Sequence, residues 1–261
     1  MTLMPDVALD VLLPAVLAGA LVIATHVPLG IQVLRRGIIF IDLAIAQVAG
    51  LGAYLVTMLL GEPASQVWIQ AGAVALALAA AWLLVATERL TVRYQEPVIG
   101  IVFVLAATAV ILLLAKDPHG GEHLADLLAG QILWISKTQL LYSALATAAL
   151  LVAMFALRAR PRAFYGLFAV AITVSVQMAG VYLVFATLII PALATARLGT
   201  GARRLVAGYA TAFGGYAMGL LGSAMFDLPT GPLIVWGLAI AGMAALALCR
   251  RFTPAGPGLP E

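Results

Sequence analysis

Apolar residues fall in long runs, near residues 9 to 34, 37 to 60, 66 to 87, 98 to 115, 138 to 157, 163 to 196, 205 to 226 and 231 to 249, separated by short polar stretches. A helix needs ~20 largely apolar residues to cross ~30 Å of hydrocarbon, and these runs are of that order. They are rich in Ala, Leu and Val and do not alternate polar with apolar residues over ~10 positions, as the strands of a membrane barrel would. The pattern predicts an all-α, polytopic helical membrane protein with a single transmembrane domain over residues 1–261. The run from Ala163 to Ala196 is too long for one crossing and short for two, and Gly180 is the expected turn between two short helices. The piece from Leu124 to Ile135 is too short to cross and is expected to be re-entrant or interfacial. The sum is about nine crossings plus one short segment.

Composition removes the soluble alternative. Of 261 residues, 64% are hydrophobic and 10% charged, and the mean hydropathy is +1.11, which leaves too few charges to cover a soluble globule of this size. The one cysteine, Cys249, cannot form an internal disulfide and reads as an inert thiol at the membrane edge. Trp68, Trp134 and Trp236 stand near run ends, as interface anchors do. The first run has Asp6 and Asp10 at its start and no Lys or Arg before it, so a permanent span is expected there and not a cleaved signal.

Charge then orients the runs. Arg35, Arg36, Arg89, Arg93, Arg158, Arg160, Arg162, Arg197, Arg203, Arg204, Arg250 and Arg251 are 12 of the 14 basic residues, and they mark alternate connections. Basic connections stay in the cytoplasm, which puts the amino terminus outside and the carboxyl terminus inside. Lys116 and Lys137 bracket an outer loop carrying His119, Glu122, His123 and Asp126. These are metal-ligand types, but Gly120 and Gly121 argue for a solvated loop that touches a partner over a rigid site.

Within the predicted spans the strongly ionisable side chains are His26 and Asp42, and a charge at a helix centre costs ~2.5 to 3.5 kcal/mol even on the insertion scale. Counted from Arg35 and Arg36, they lie at roughly 13 Å and 9 Å from one boundary, where an imidazole and a carboxylate could together hold a divalent transition metal in transit. The plainer alternative is a neutral histidine bonded to a carbonyl and a carboxylate that serves packing. Ala46, Ala49 and Ala53 follow Asp42 on one face, as a permeation path or as close helix packing would require. Gln47 shares that face only through a bulge, and Thr173 and Gln177 form a second polar stripe in the short paired helices, where Pro191 interrupts the return. Neither lysine follows a glycine, so there is no phosphate-binding loop, and His-Glu-x-x-His and Gly-x-Ser-x-Gly are absent. The chain thus shows no catalytic motif and no energy source of its own.

Four segments carry a more specific pattern: Arg35-Arg36-Gly37-Ile38-Ile39-Phe40-Ile41-Asp42; Glu96-Pro97-Val98-Ile99-Gly100-Ile101; Gln177-Met178-Ala179-Gly180-Val181-Tyr182-Leu183 running into Ile190-Pro191-Ala192-Leu193-Ala194-Thr195-Ala196-Arg197; and Asp227-Leu228-Pro229-Thr230-Gly231-Pro232. In order and spacing they resemble the membrane permease family of manganese-, zinc- and iron-type ABC importers. The resemblance covers nearly the whole chain. It implies a homodimer in the bacterial cytoplasmic (inner) membrane, two copies of a separate cytoplasmic ATP-binding subunit that uses the ATP, and an extracytoplasmic metal-binding protein. It implies a transported divalent metal, zinc ahead of manganese or iron, with no permanently bound cofactor and no nucleic acid. In that family an aspartate and a histidine four residues later line the metal path; Asp42 matches the first, and Ala46, or Gln47 with one inserted residue, stands where the histidine would be. His26 is then the candidate to supply the missing imidazole. By the same resemblance the stretch with Arg197, Gly199, Gly201, Arg203 and Arg204 docks on the ATPase. An ion-coupled secondary transporter that uses Asp42 for the driving proton, and a non-transporting assembly subunit, are the alternatives.

Overall fold

The structure is a computed structural model that describes residues 5–61, 65–90, 95–114, 120–130, 132–157, 160, 163–199 and 201–252. It contains α1 (Pro5–Arg36), α2 (Ile41–Leu60), α3 (Gln66–Leu90), α4 (Gln95–Leu114), α5 (Gly120–Ala129), α6 (Lys137–Ala156), α7 (Ala163–Ala194), α8 (Ala202–Phe226) and α9 (Thr230–Phe252), with single 3-10 turns at Ile132–Trp134 and Ala196–Leu198. All of these helices except the ten-residue α5 are long and apolar enough to cross a membrane. No strand occurs among the described residues, so the fold is the all-α, polytopic one that the runs predict.

The sixth run bends back on itself. Gly180 lies at φ 74°, ψ 164° inside α7, backbone that is essentially confined to glycine. Near one end of α7, Phe164 lies under the Arg36 guanidinium, 4.3 Å from its ring centre. Near the other, Leu188 and Ala192 press on Gly30. Arg36 and Gly30 are about 9 Å apart along α1, whereas a straight helix would separate Phe164 from Ala192 by about 42 Å. The two limbs of α7 therefore return to the same arginine-rich end of the bundle. Gln139 of α6 reaches the Gln177 carbonyl near the far end at 3.3 Å, and the bend abuts Gly130, each glycine leaving no room for a Cβ on the other. Counted by limbs, the described residues contain nine apolar segments within eight membrane-length helices.

Residues 37–60 form one apolar run, yet α2 starts only at Ile41. Gly37 takes φ 68°, Ile38 N–H donates to the Val33 carbonyl, and Ile41 N–H to the Ile38 carbonyl, so the first four residues of the run make the turn. The short segment expected over 124–135 is α5 followed by a 3-10 turn, its helix beginning earlier, at Gly120. Leu127 packs on Gly50 in the middle of α2, and Ala129 on Gly231 at the start of α9, so α5 is inserted among the spans. Glu122 and His123 fall on the helical backbone of α5 where a loop is expected, and their side chains, with His119 entire, lie outside the described residues.

α7 is the centre of the bundle. In its apolar window 78% of residues are buried, against 22% in α4 and 17% in α6, which face outward. α7 packs on α1, α9, α3, α2, α5 and α6. Pro28 in α1 has no N–H and strands the Ala24 carbonyl, and Tyr209 of α8 donates its hydroxyl to that oxygen at 3.1 Å. Trp68, Trp134 and Trp236 are exposed, and Cys249 is free and buried.

Substituting Gly180 tests the bend. Gly180→Ala forces a side chain into glycine-only backbone, at about 1–3 kcal/mol, and onto Gly130. The expected result is a lowered unfolding midpoint and loss of the monodisperse peak on size exclusion in detergent. Gly166→Ala on the same helix meets open space and should leave both readouts unchanged.

Candidate functional site

Asp42 is the second residue of α2, 1% exposed. The backbone N–H groups of Asp42 and Leu43 lie nearest its carboxylate, but neither oxygen completes a hydrogen bond. A helix N-terminus partly offsets negative charge through its unpaired N–H groups. That compensation is incomplete here, because the carboxylate is buried away from water. Glu96, in the first turn of α4, accepts from the Ile39 N–H just ahead of α2, which brings a second carboxylate to the start of that helix. The Glu96 Oε2 atom is buried and also unpartnered. Two carboxylates at adjoining helix starts, with three free oxygens between them, make a site that attracts a cation. The sequence marks Asp42; it shows Glu96 only as part of a motif, although an acid before Pro97 at the head of an apolar run is a signal that could have been read.

His26 is fully buried in α1. Its Nδ1 lies 2.9 Å from the Val22 carbonyl and 3.0 Å from Thr25 Oγ1. With Nδ1 donating to the carbonyl, Nε2 carries the lone pair, and that atom has no partner. The structure joins His26 and Asp42 by no hydrogen bond or ion pair among the described residues. His26 lies ten residues, roughly 15 Å, up α1 from Arg36, while Asp42 stands in the first turn of α2. Residues 37–40 form a turn, so a rise of about 1.5 Å per residue from Arg36 does not give the depth of Asp42. No group of three His, Cys, Asp or Glu that could hold a metal occurs among the described residues.

Along α2, Ala46, Gln47 and Ala49 are buried. Beside them Gly52 sits against the Gly72 carbonyl and Ala73 of α3, so this side of the helix is used for close packing. Thr173 is fully buried and returns its hydroxyl to the Ala169 carbonyl at 2.8 Å. Gln177 keeps an unpartnered, buried Nε2 just before the Gly180 bend. The Pro191 carbonyl accepts from both the N–H and the hydroxyl of Thr195, at 3.2 and 2.7 Å, which closes the end of α7.

The connection between α7 and α8 divides its arginines. Arg197 and Arg203 are exposed, whereas Arg204 turns inward, 6% exposed, and donates to the Ala192 carbonyl at 3.1 Å and the Gly199 carbonyl at 3.3 Å. Gly199 at φ 69° and Gly201 at φ 117° give the chain its path around that guanidinium. Arg204 thus fixes the loop from within and leaves Arg197 and Arg203 available on its surface.

A family model for the ABC 3 transport family matches residues 8–162 and 161–249. Among solved structures, the fold is similar to a chain of PsaBC from Streptococcus pneumoniae in complex with Fab, with a TM-score of 0.73 and 20% identity over 93% of this chain and 95% of that one. It is also similar to an inward-facing conformation of a metal-chelate type ABC transporter, with a TM-score of 0.67 and 14% identity over 97% of this chain and 90% of that one. Comparison with curated proteins gives no match.

Removing the internal clamp should loosen the loop. In Arg204→Ala, amide hydrogen exchange of residues 195–203 is expected to speed by about tenfold, the loss of roughly 1.4 kcal/mol of local protection, with Arg204→Lys intermediate. Unchanged exchange would mean that the glycine turns alone fix the loop.

Proposed function

The chain belongs to the ABC 3 transport family, and from that premise we propose that it is the membrane permease of an ATP-driven importer of divalent transition-metal ions, zinc ahead of manganese or iron. The observation that carries the reading is the buried Asp42 carboxylate with two free oxygens beside the free Oε2 of Glu96. Carboxylates in a membrane bundle are costly unless a cation or a proton visits them. A passing metal dication supplies that charge, and the lone pair of His26 Nε2 offers a softer ligand farther along the path. Ala46, Gln47, Thr173 and Gln177 border the route and Pro191 shapes its inner end in this reading.

In the assembly we infer, two copies of the chain form the pathway in the bacterial inner membrane, amino termini outside. Two cytoplasmic ATP-binding subunits engage the Arg197–Arg204 loop, and an extracytoplasmic protein delivers the ion. Closure of the ATP-binding subunits pulls on the loop that Arg204 holds to α7, and the Asp42 region is exposed first to one side and then to the other. The side chains bind and release the metal and do no covalent chemistry.

Elemental mass spectrometry on cells lacking their own metal importers tests this, with the chain expressed beside its genomic neighbours. One metal should rise with the unaltered chain and remain at background with Asp42→Ala. Glu96→Gln and His26→Ala should each lower uptake at least tenfold. No rise in any metal, with the complex present in the membrane, would end the importer reading; uptake that survives inactivation of the ATP-binding subunit would transfer it to ion-coupled transport. If His26→Ala transports normally while Asp42→Ala does not, His26 is not a ligand.

A further inference from the structure

The turn over residues 37–40 is held from a distance. Phe40, the residue before α2, has no side-chain acceptor and gives its helix no cap. The Ile39 N–H donates instead to Glu96 Oε1 at the head of α4, across 57 residues of sequence. On the α1 side, Ile38 N–H donates to the Val33 carbonyl, and Arg36 lies over Phe164 at the start of α7. Glu96 therefore joins the turn to α4, as Arg36 joins the end of α1 to α7.

A carboxylate that served only as a cap would keep its second oxygen in water or on another donor, because a buried group without a partner costs about 1–3 kcal/mol. Glu96 does the opposite, with Oε2 buried and unpartnered. Three residues beyond Ile39, both oxygens of Asp42 are also buried and free. Ionised carboxylates only accept hydrogen bonds, so the two acids cannot satisfy each other, whereas a cation between them can. We propose that Glu96 passes cation occupancy of the Asp42 site to the α1–α2 turn: Oε1 holds Ile39, Oε2 takes the ion together with Asp42, and the bound ion ties the start of α2 to the start of α4. This rests on the importer reading for a divalent metal as the ion, and adds an element that responds to it. With the site empty, α4 holds the turn through the Glu96 hydrogen bond; with it filled, the two helix starts separate only by releasing the ion.

Amide hydrogen exchange over residues 37–43 of the full chain in detergent, with and without zinc or manganese(II) chloride, tests the link. Metal at about ten times its dissociation constant should slow exchange there by about tenfold, the factor 1 + [L]/Kd. Exchange in α8, which packs on α1, α7 and α9, should not change; equal slowing there would mean global stabilisation and overturn the link. Glu96→Gln keeps an acceptor oxygen for Ile39, so exchange without metal should stay within about twofold while the protection by metal disappears. Glu96→Ala removes both, and exchange without metal should speed by about tenfold. Exchange that Glu96→Ala leaves unchanged, or metal protection that Glu96→Gln retains, refutes the assignment. The unaltered chain decides independently of any variant's folding. If metal leaves residues 37–43 unaffected while cells still accumulate it, the link fails and the importer stands; if cells accumulate no metal, the importer reading fails and the link with it.

Discussion

In hydrocarbon every backbone polar group must find its partner inside the protein, and the breaks in this bundle follow that requirement. Where Pro28 removes a donor from α1, a tyrosine from another helix replaces it at Ala24. Where α7 ends, Thr195 and Arg204 take up the carbonyls of Pro191 and Ala192. Where α7 turns, the change of direction is confined to one residue, Gly180, against the bare backbone of Gly130. Each interruption is thus closed by a contact from a different helix, which couples the local break to the packing of the whole.

The same constraint sharpens the meaning of groups that have no partner. Asp42, Glu96 and His26 all keep a free oxygen or nitrogen in the interior. The two acids stand in the first turns of neighbouring helices, where unpaired N–H groups soften the cost of negative charge. One such acid is an ordinary helix start. Two gathered at the start of one helix are not, because like charges in the interior add to each other's cost. An arrangement of that kind favours positive charge at the site, and membership in a transport family makes a travelling cation its natural source.

Most of the architecture was legible in the chain because the bilayer imposes lengths. The helix spans follow the apolar runs, and the sixth run was too long for one crossing and flanked by arginine at both ends, which singled out Gly180. The start of α2 was not legible: Ile38, Ile39 and Phe40 continue the apolar pattern, and only the positive φ of Gly37 shows that the chain is turning there. Counting residues from Arg36 therefore could not fix the level of Asp42. The pairing of Glu96 with the α2 start spans 57 residues of sequence to Ile39, and no local periodicity carries such a contact. The alanine face of α2 was ambiguous between path and packing, and the approach of Gly52 to α3 gives packing part of that side.

The hairpin of α7 also links the two ends of the molecule. Its second limb, residues 181–194, begins at the bend against Gly130 and finishes at the carbonyls that Arg204 grips, a distance of only about 21 Å along a helix. Over that length it is packed by α1 at Gly30 and by α8 through the 2.9 Å hydrogen bond between Thr187 and Tyr216. Pro191 leaves this limb one intrahelical hydrogen bond short near its loop end, and the contacts to α1 and α8 hold it in place there. The limb therefore joins the Arg197–Arg204 loop to the Gly180–Gly130 contact and to α5 by a series of packed contacts. In the proposed importer this series of contacts leads from the side that the ATP-binding subunits engage to the far side of the bundle, and it runs through the element that lies at the centre of the packing.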